Sequence, residues 1–407
     1  MKIIPMPADK GYGFTTFRPI DKDSNPYIDA YRYEQVGIYH NYHFTDSAWI
    51  WPESVDFPRD WVIDAFSPNV NKKLHVGHLR QLVLAASLSA LLPCKFVSLR
   101  GYSQGVMEGA IEDLQQWHWL AGYHPHEVLI DIKLDGSHLP MVDGTGLYEG
   151  CKLWAEKPIE GVPVVLKKSD GSTTYAYHEL AFKKAVNPTH YVTGVEQIYH
   201  FKSLGLADKH YPMGLVMLAE HGKIKSRYHG REAKTLAAQW MLDTLTEQIG
   251  EAKEPKLLAW NILAWNLLSH KRTQGVKYDP VEWSKVSAPG LYITYTYARA
   301  NKALNQPELQ SWFGQAGSTE KAEFSELDIA LLGMSAYSSY YLQKAIDEFD
   351  PCPITHYTLE LAKLISKAYD TEKLKGGRNS FIHAFSIATM TLGQMMRTLS
   401  MKIVLEI

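Results

Sequence analysis

Between residues 61 and 92 the chain reads as a strand that turns through a polar loop into a helix, a unit few folds accommodate. Trp61-Val62-Ile63-Asp64-Ala65-Phe66 is a β run, Pro68 and Asn69 sit in the loop, and a long apolar helix follows over about 78–92. A helix apolar on nearly every side belongs where it packs on a parallel sheet and is covered again. Residues 96–99 read as the next strand, with further strands at 164–167, 190–193 and 215–218. Strands alternating with helices predict an α/β fold, a Rossmann-like doubly wound parallel sheet over residues 61–250. The glycine-spaced stretch at about 103–150 reads as a short insertion in it.

Beyond residue 250 the pattern becomes helical. Leu258, Ile262 and Trp265 recur at helical spacing, and 381–399 holds few breakers besides Gly393, so 251–407 reads as a C-terminal α-helical bundle. Residues 1–60, rich in Tyr, Asp and Pro, read as an N-terminal extension of short strands and loops. A chain of 407 residues forms two or three domains without staples. Its 42 Lys+Arg against 44 Asp+Glu exclude a polycation that coats DNA, while a local basic face stays open. Cys94, Cys151 and Cys352 form no CxxC pair, which excludes a zinc ribbon or redox motif and fits a reducing, cytoplasmic compartment. No signal peptide is readable at 1–10. The longest apolar run, 82–92, stops at Pro93 and is too short for a membrane. A monomer without membrane contact is expected.

The chemistry concentrates in Ser67-Pro68-Asn69-Val70-Asn71-Lys72-Lys73-Leu74-His75-Val76-Gly77-His78-Leu79-Arg80. Two histidines where a strand turns into a helix place imidazole donors beside the positive end of the helix dipole, a place suited to polyphosphate. Gly77 lets a flat nucleotide base approach the backbone, and Lys72 adds a mobile cation for a charged leaving group. His75-x-x-His78 alone also fits a pair of partly buried core histidines; the strand context and the flanking residues favour the phosphate role.

His75 to His78 resembles the HIGH signature of the class I aminoacyl-tRNA synthetases, and the longer stretch resembles that of the arginyl members. The resemblance implies that His75 and His78 stabilise the pyrophosphate leaving group during adenylate formation. It also implies that Ser67 and Asn69 hold the α-amino and carboxylate end of the amino acid. Lys223-Ile224-Lys225-Ser226-Arg227 is similar to a degenerate KMSKS loop, whose Lys223 and Lys225 would close over the triphosphate. A short basic surface turn is the plainer alternative. In Thr174-Tyr175-Ala176-Tyr177-His178-Glu179, Tyr175 and Glu179 lie one helical turn apart, as the family's guanidinium-binding pair does, although the expected carboxylate is Asp. Gln197 and His200 match positions lining the amino-acid and adenosine pockets. Residues 287–299 and the last helix resemble the family's anticodon-binding region. The family's extra N-terminal domain has no recognisable counterpart in residues 1–60, so a truncated or divergent paralogue is expected.

These features imply ATP-dependent activation of arginine, or a close basic analogue, as an aminoacyl-adenylate with transfer to tRNA. Mg²⁺ is expected to arrive with ATP, since no dense carboxylate cluster is visible. The alternative is a synthetase-like ligase that passes the acyl group to a small-molecule amine.

Overall fold

A computed structural model describes residues 57–58, 60–71, 74–156, 162–218, 222–223, 238–278, 280–283, 288–307, 325–372, 374 and 377–405, with the backbone of four strands between residues 4 and 44. The chain divides into two compact units, Met1–Asp56 with Glu251–Trp265 and Val286–Ile407, and Phe57–Gly250 with Asn266–Lys285. In the first unit β1 (Ile4–Pro5), β2 (Gly13–Thr16), β3 (Tyr31–Val36) and β4 (Tyr39–Phe44) form an antiparallel sheet ordered β1-β2-β4-β3.

The second unit runs β5 (Val62–Asp64), α1 (Val76–Leu91), β6 (Lys95–Arg100), α2 (Ala110–Ala121), β7 (Glu127–Ile130), β8 (Met141–Asp143), β9 (Lys152–Trp154), β10 (Val165–Lys167), α3 (Tyr175–Val186), β11 (His190–Tyr191), α4 (Ile198–Ser203), β12 (Val216–Leu218), β13 (Gly222–Lys223) and α5 (Ala238–Ile249). Its centre is a parallel sheet ordered β11-β5-β6-β7, with Ile63 paired to Phe96 on one side and to His190 on the other. The chain therefore leaves β5 toward β6 and later returns to pair on the opposite edge of β5. That is a topological switch point, and the carboxyl ends of the strands there open a crevice. Ile63, Phe66, Leu82, Leu88, Phe96 and Val97 are fully buried around it, which accounts for a helix α1 that is apolar on most faces.

The parallel sheet is narrower than the alternation implies. Residues 165–167 pair antiparallel with β9 in a side sheet ordered β10-β9-β8. β12 pairs antiparallel with β13 and parallel with β14 (Val276–Tyr278), the latter from the returning segment 266–285. A three-residue apolar run looks the same whichever sheet it joins. Conversely, within the stretch read as an insertion at 103–150, β7 belongs to the parallel sheet itself and α2 is the helix between β6 and β7.

The described helices of the C-terminal half are α6 (Pro255–Leu268), α7 (Pro280–Trp283), α8 (Pro289–Leu304), α9 (Glu326–Glu348), α10 (Cys352–Thr371) and α11 (Asn379–Thr398). In the first unit Trp260 donates Nε1–H to the Ser400 carbonyl at 2.7 Å, and Asn261 donates to the Lys402 carbonyl at 2.8 Å, tying the last turns of chain onto α6. Ser325 and Asp328 cap α9 reciprocally, and Arg378 grips the buried Asp328 carboxylate at 2.7 Å. Among the described residues no helix is long and apolar enough to cross a membrane.

Candidate active site

A cleft of about 760 Å³ lies at the switch point in the second unit, large enough for a nucleotide and an amino acid together. Ser67, Asn69, His75, Gly77, His78, Tyr175, Glu179, Gln197 and His200 all line it, brought together from the β5–α1 loop, α1, α3 and α4. Lys72 and Lys225 lie outside the described residues, and Lys223 is described in backbone only, as the last residue of β13.

The first turn of α1 is built by the two histidines. His75 is the N-cap: its Nδ1 accepts from the Gly77 and His78 backbone N–H groups at 3.1 and 3.4 Å. His78 reciprocates, its Nδ1 accepting from the His75 N–H at 3.3 Å, and the two rings stack with centroids 3.8 Å apart. Because both rings accept through Nδ1, each neutral imidazole carries its proton on Nε2 and offers that N–H as a donor. The donors sit at the positive end of a helix of 16 residues, where anionic oxygens are favoured. A Cβ on Gly77 would come within 2.9 Å of the His75 ring, so the glycine also leaves room for that imidazole.

α3 and β5 bring two carboxylates to the cleft. Asp64 is 4% exposed and accepts from Ser67 Oγ at 2.5 Å; burial pushes its carboxyl up to about 7, against the lowering effect of that bond. Glu179 has its carboxyl pushed up to about 8, by burial first and by the Asp64 charge second, and its buried Oε1 has no hydrogen-bond partner among the described residues. Tyr191, fully buried beside the pair, also has a hydroxyl with no partner among the described residues, and its acidity is lowered by burial and then by the Glu179 and Asp64 charges. Unpaired acceptors in a dry wall favour a ligand that brings several donors and a positive charge. At the rim, the Tyr175 hydroxyl accepts from Asn69 Nδ2 at 3.0 Å. His200 is held below the usual imidazole range by burial.

Residues 293–403 match the family model described as the DALR anticodon binding domain. The chain is 27% identical over 257 residues to an arginine–tRNA ligase of Clostridium perfringens, covering 54% of this chain and 45% of that protein. It is 28% identical over 263 residues to the one of Clostridium acetobutylicum, with 55% and 45% covered. The matched stretch thus spans less than half the length of these curated relatives. Among solved structures, Thermus thermophilus arginyl-tRNA synthetase superposes with a TM-score of 0.66 at 14% identity, over 95% of this chain and 90% of that one. A Mycobacterium tuberculosis methionyl-tRNA synthetase in complex with methionyl-adenylate superposes with a TM-score of 0.56 at 11% identity, over 84% and 92%. The fold is that of a class I aminoacyl-tRNA synthetase, and the chain resembles the arginyl-tRNA synthetases.

Within this synthetase fold several cleft residues went unassigned in the sequence. Asp64 is one, although a carboxylate inside the apolar run Val62–Phe66 is itself a signal, since such a residue is buried only for a reason. His178 is another: its Nδ1 lies 3.1 Å from the Asp131 carbonyl and its Nε2 2.8 Å from Thr173 Oγ1, fixing the start of α3. The Asp131 carboxylate accepts from the Tyr102 and Ser103 N–H groups and shapes the loop after β6. Of the basic residues in the helical region, Arg299 pairs with Asp370 and lies over the Tyr369 ring, while Arg378 pairs with Asp328 and Glu372.

Proposed function

We propose that the chain activates arginine with ATP as arginyl-adenylate and transfers it to tRNA. The observation that carries this reading is the pair Asp64 and Glu179, both buried, with Glu179 Oε1 unpartnered among the described residues, in the wall of the cleft that also holds the His75–His78 helix terminus. A guanidinium offers five N–H donors in a plane and a permanent charge, matching two carboxylates better than an ammonium does. Ser67 and Asn69, on the loop between Asp64 and α1, would hold the amino-acid head group.

In the reaction an arginine carboxylate oxygen attacks the α-phosphorus of ATP, the bond to the bridging oxygen breaks, and pyrophosphate leaves. Charge grows on that leaving group, and the Nε2–H donors of His75 and His78 are preorganised toward it. Gly77, with no side chain, would lie against the nucleotide, and Gln197 and His200 would face the amino acid and the adenosine. Mg²⁺ would enter on the phosphates: among the described residues no group of three His, Cys, Asp or Glu side chains could hold a metal. Lys72, Lys223 and Lys225 would supply mobile positive charge to the triphosphate. The match to an anticodon-binding domain supports tRNA as acceptor, and no observation favours a small-molecule amine. A cytoplasmic setting belongs to the same proposal and is supported by Cys94, Cys151 and Cys352, which form no disulfide with one another.

Amino-acid-dependent pyrophosphate exchange, run across a panel of amino acids with and without tRNA, tests the reading. Arginine-dependent exchange and arginylated tRNA are expected. Preference for a neutral amino acid, or arginine activation that leaves tRNA unacylated, would overturn the substrate or the acceptor respectively.

A further inference from the structure

Arg80 is among the largest fully buried side chains of the second unit, 2% exposed, and the chemistry proposed above gives it no role. It leaves α1 two residues after His78. Its Nη1 donates to the Gly214 carbonyl at 2.6 Å and to the Gln274 carbonyl at 2.7 Å, and its Nη2 donates to the Lys271 carbonyl at 3.1 Å. Gly214 is a wall residue of the cleft, two residues before β12 begins at Val216. Lys271 and Gln274 form the turn that leads into β14, which lies parallel to β12 with Val216 opposite Val276. The joint is tight. A Cβ on Gly214 would come within 2.2 Å of the Gln274 carbonyl oxygen, and Gly214 N–H donates to the Arg272 carbonyl at 2.8 Å.

One guanidinium therefore ties the helix whose first turn carries His75 and His78 to the strand that runs on through β12 to β13 and Lys223. We infer that Arg80 is a positioning residue for ATP, holding the two sides of the nucleotide site at a fixed separation through three backbone carbonyls. The type of side chain supports this. A planar fork spreads its bonds to the three carbonyls over two nitrogens, which the compact ammonium of lysine does not, and a charge of this kind is retained in a dry interior when it is hydrogen-bonded. A residue that merely filled the core would do so with an apolar group at less desolvation cost. The inference rests on the proposed reading of the cleft as a site for ATP.

The test uses Arg80→Lys, which keeps the charge but loses the fork, and Gly214→Ala, which pushes the same joint apart without touching Arg80. ATP binding is measured by calorimetry on the full chain, pyrophosphate exchange gives kcat and KM separately, and hydrogen exchange reports the Gly214 and Val276 amides. Both variants are expected to weaken ATP binding by at least about tenfold. Both should leave the KM for arginine within about twofold and speed exchange at the two amides. Variants that lose thermal stability but bind ATP and turn over like the parent would overturn the inference and leave Arg80 a packing residue. Equal losses for arginine and ATP would overturn it too. If the parent itself does not bind ATP, the reading of the cleft fails, whereas unchanged amide exchange in both variants refutes the clamp independently of any nucleotide.

Discussion

Asn69 and Tyr175 are 106 positions apart in the chain, yet the Asn69 amide donates to the Tyr175 hydroxyl at 3.0 Å across the rim of the cleft. The contact depends on Gly101. Its backbone bridges Asn69, and a Cβ there would come within 1.8 Å of Asn69 Oδ1. Gly101→Ala must therefore displace the Asn69 side chain. The expected result is a folded protein whose kcat/KM for arginine falls about tenfold or more while ATP binding in calorimetry is unchanged. A variant indistinguishable from the parent would show that Asn69 does not touch the substrate.

Asp64 and Glu179 give the protein a pH signature of definite sign. Their folded values, about 7 and about 8, lie above the ordinary 3.8 and 4.5. The folded state thus prefers both carboxyls protonated, so the stability they contribute is complete below about pH 4 and is lost as the pH rises toward about 8. A cationic ligand needs them ionised, and arginine should bind more tightly over the same rise. Thermal melts and calorimetry across this window check both slopes. Glu179→Gln should flatten part of the stability slope and weaken arginine use by at least about tenfold.

His75 does two jobs that different substitutions separate. His75→Ala removes both the phosphate donor and the cap of α1, and should cost about 1 kcal/mol of stability besides slowing adenylate formation about 10²- to 10³-fold. His75→Asn keeps a capping acceptor and should recover the stability without the rate. Denaturant melts beside pyrophosphate exchange decide it: a rate that follows stability in both variants would make the histidine a cap and nothing else.

Neutralising Lys223 and Lys225 together should lower kcat more than it raises the KM for ATP, because mobile cations act on charge that develops in the transition state. A pure KM effect would reduce them to ground-state binding.

Should the helical region receive tRNA, binding should weaken steeply with salt, each phosphate contact steepening the logarithmic slope. Arg299 and Arg378 are engaged with carboxylates, so replacing either by Met should change that slope less than it changes the melting temperature.

The strand-to-helix unit and the cluster around His75 were legible because each is local: the polar loop, the N-cap and the apolar helix all lie within about thirty residues. Tyr175 and Glu179 were legible for the same reason, one turn apart on α3. Asp64 was hidden because its significance comes from facing Glu179 across 115 positions of chain, and Arg80 because its partners are carbonyls, which every residue possesses. The sheet to which 165–167 and 216–218 belong was beyond reach too, since strand pairing is a choice among distant segments that three residues do not encode.

The second unit is not continuous in the chain: β12 is made of residues 216–218, but its parallel partner β14 is residues 276–278, beyond the stretch that belongs to the first unit. During synthesis, β12 must therefore wait for dozens of further residues before β14 exists, and Arg80 before two of its three carbonyl partners exist, although domains usually close as they emerge. Until Gln274 has left the ribosome, a charged guanidinium waits beside an unfinished sheet. A message broken just after the codon for Gly250 would yield a nascent chain that carries every proposed site residue but lacks β14 and the Lys271 and Gln274 carbonyls that Arg80 holds.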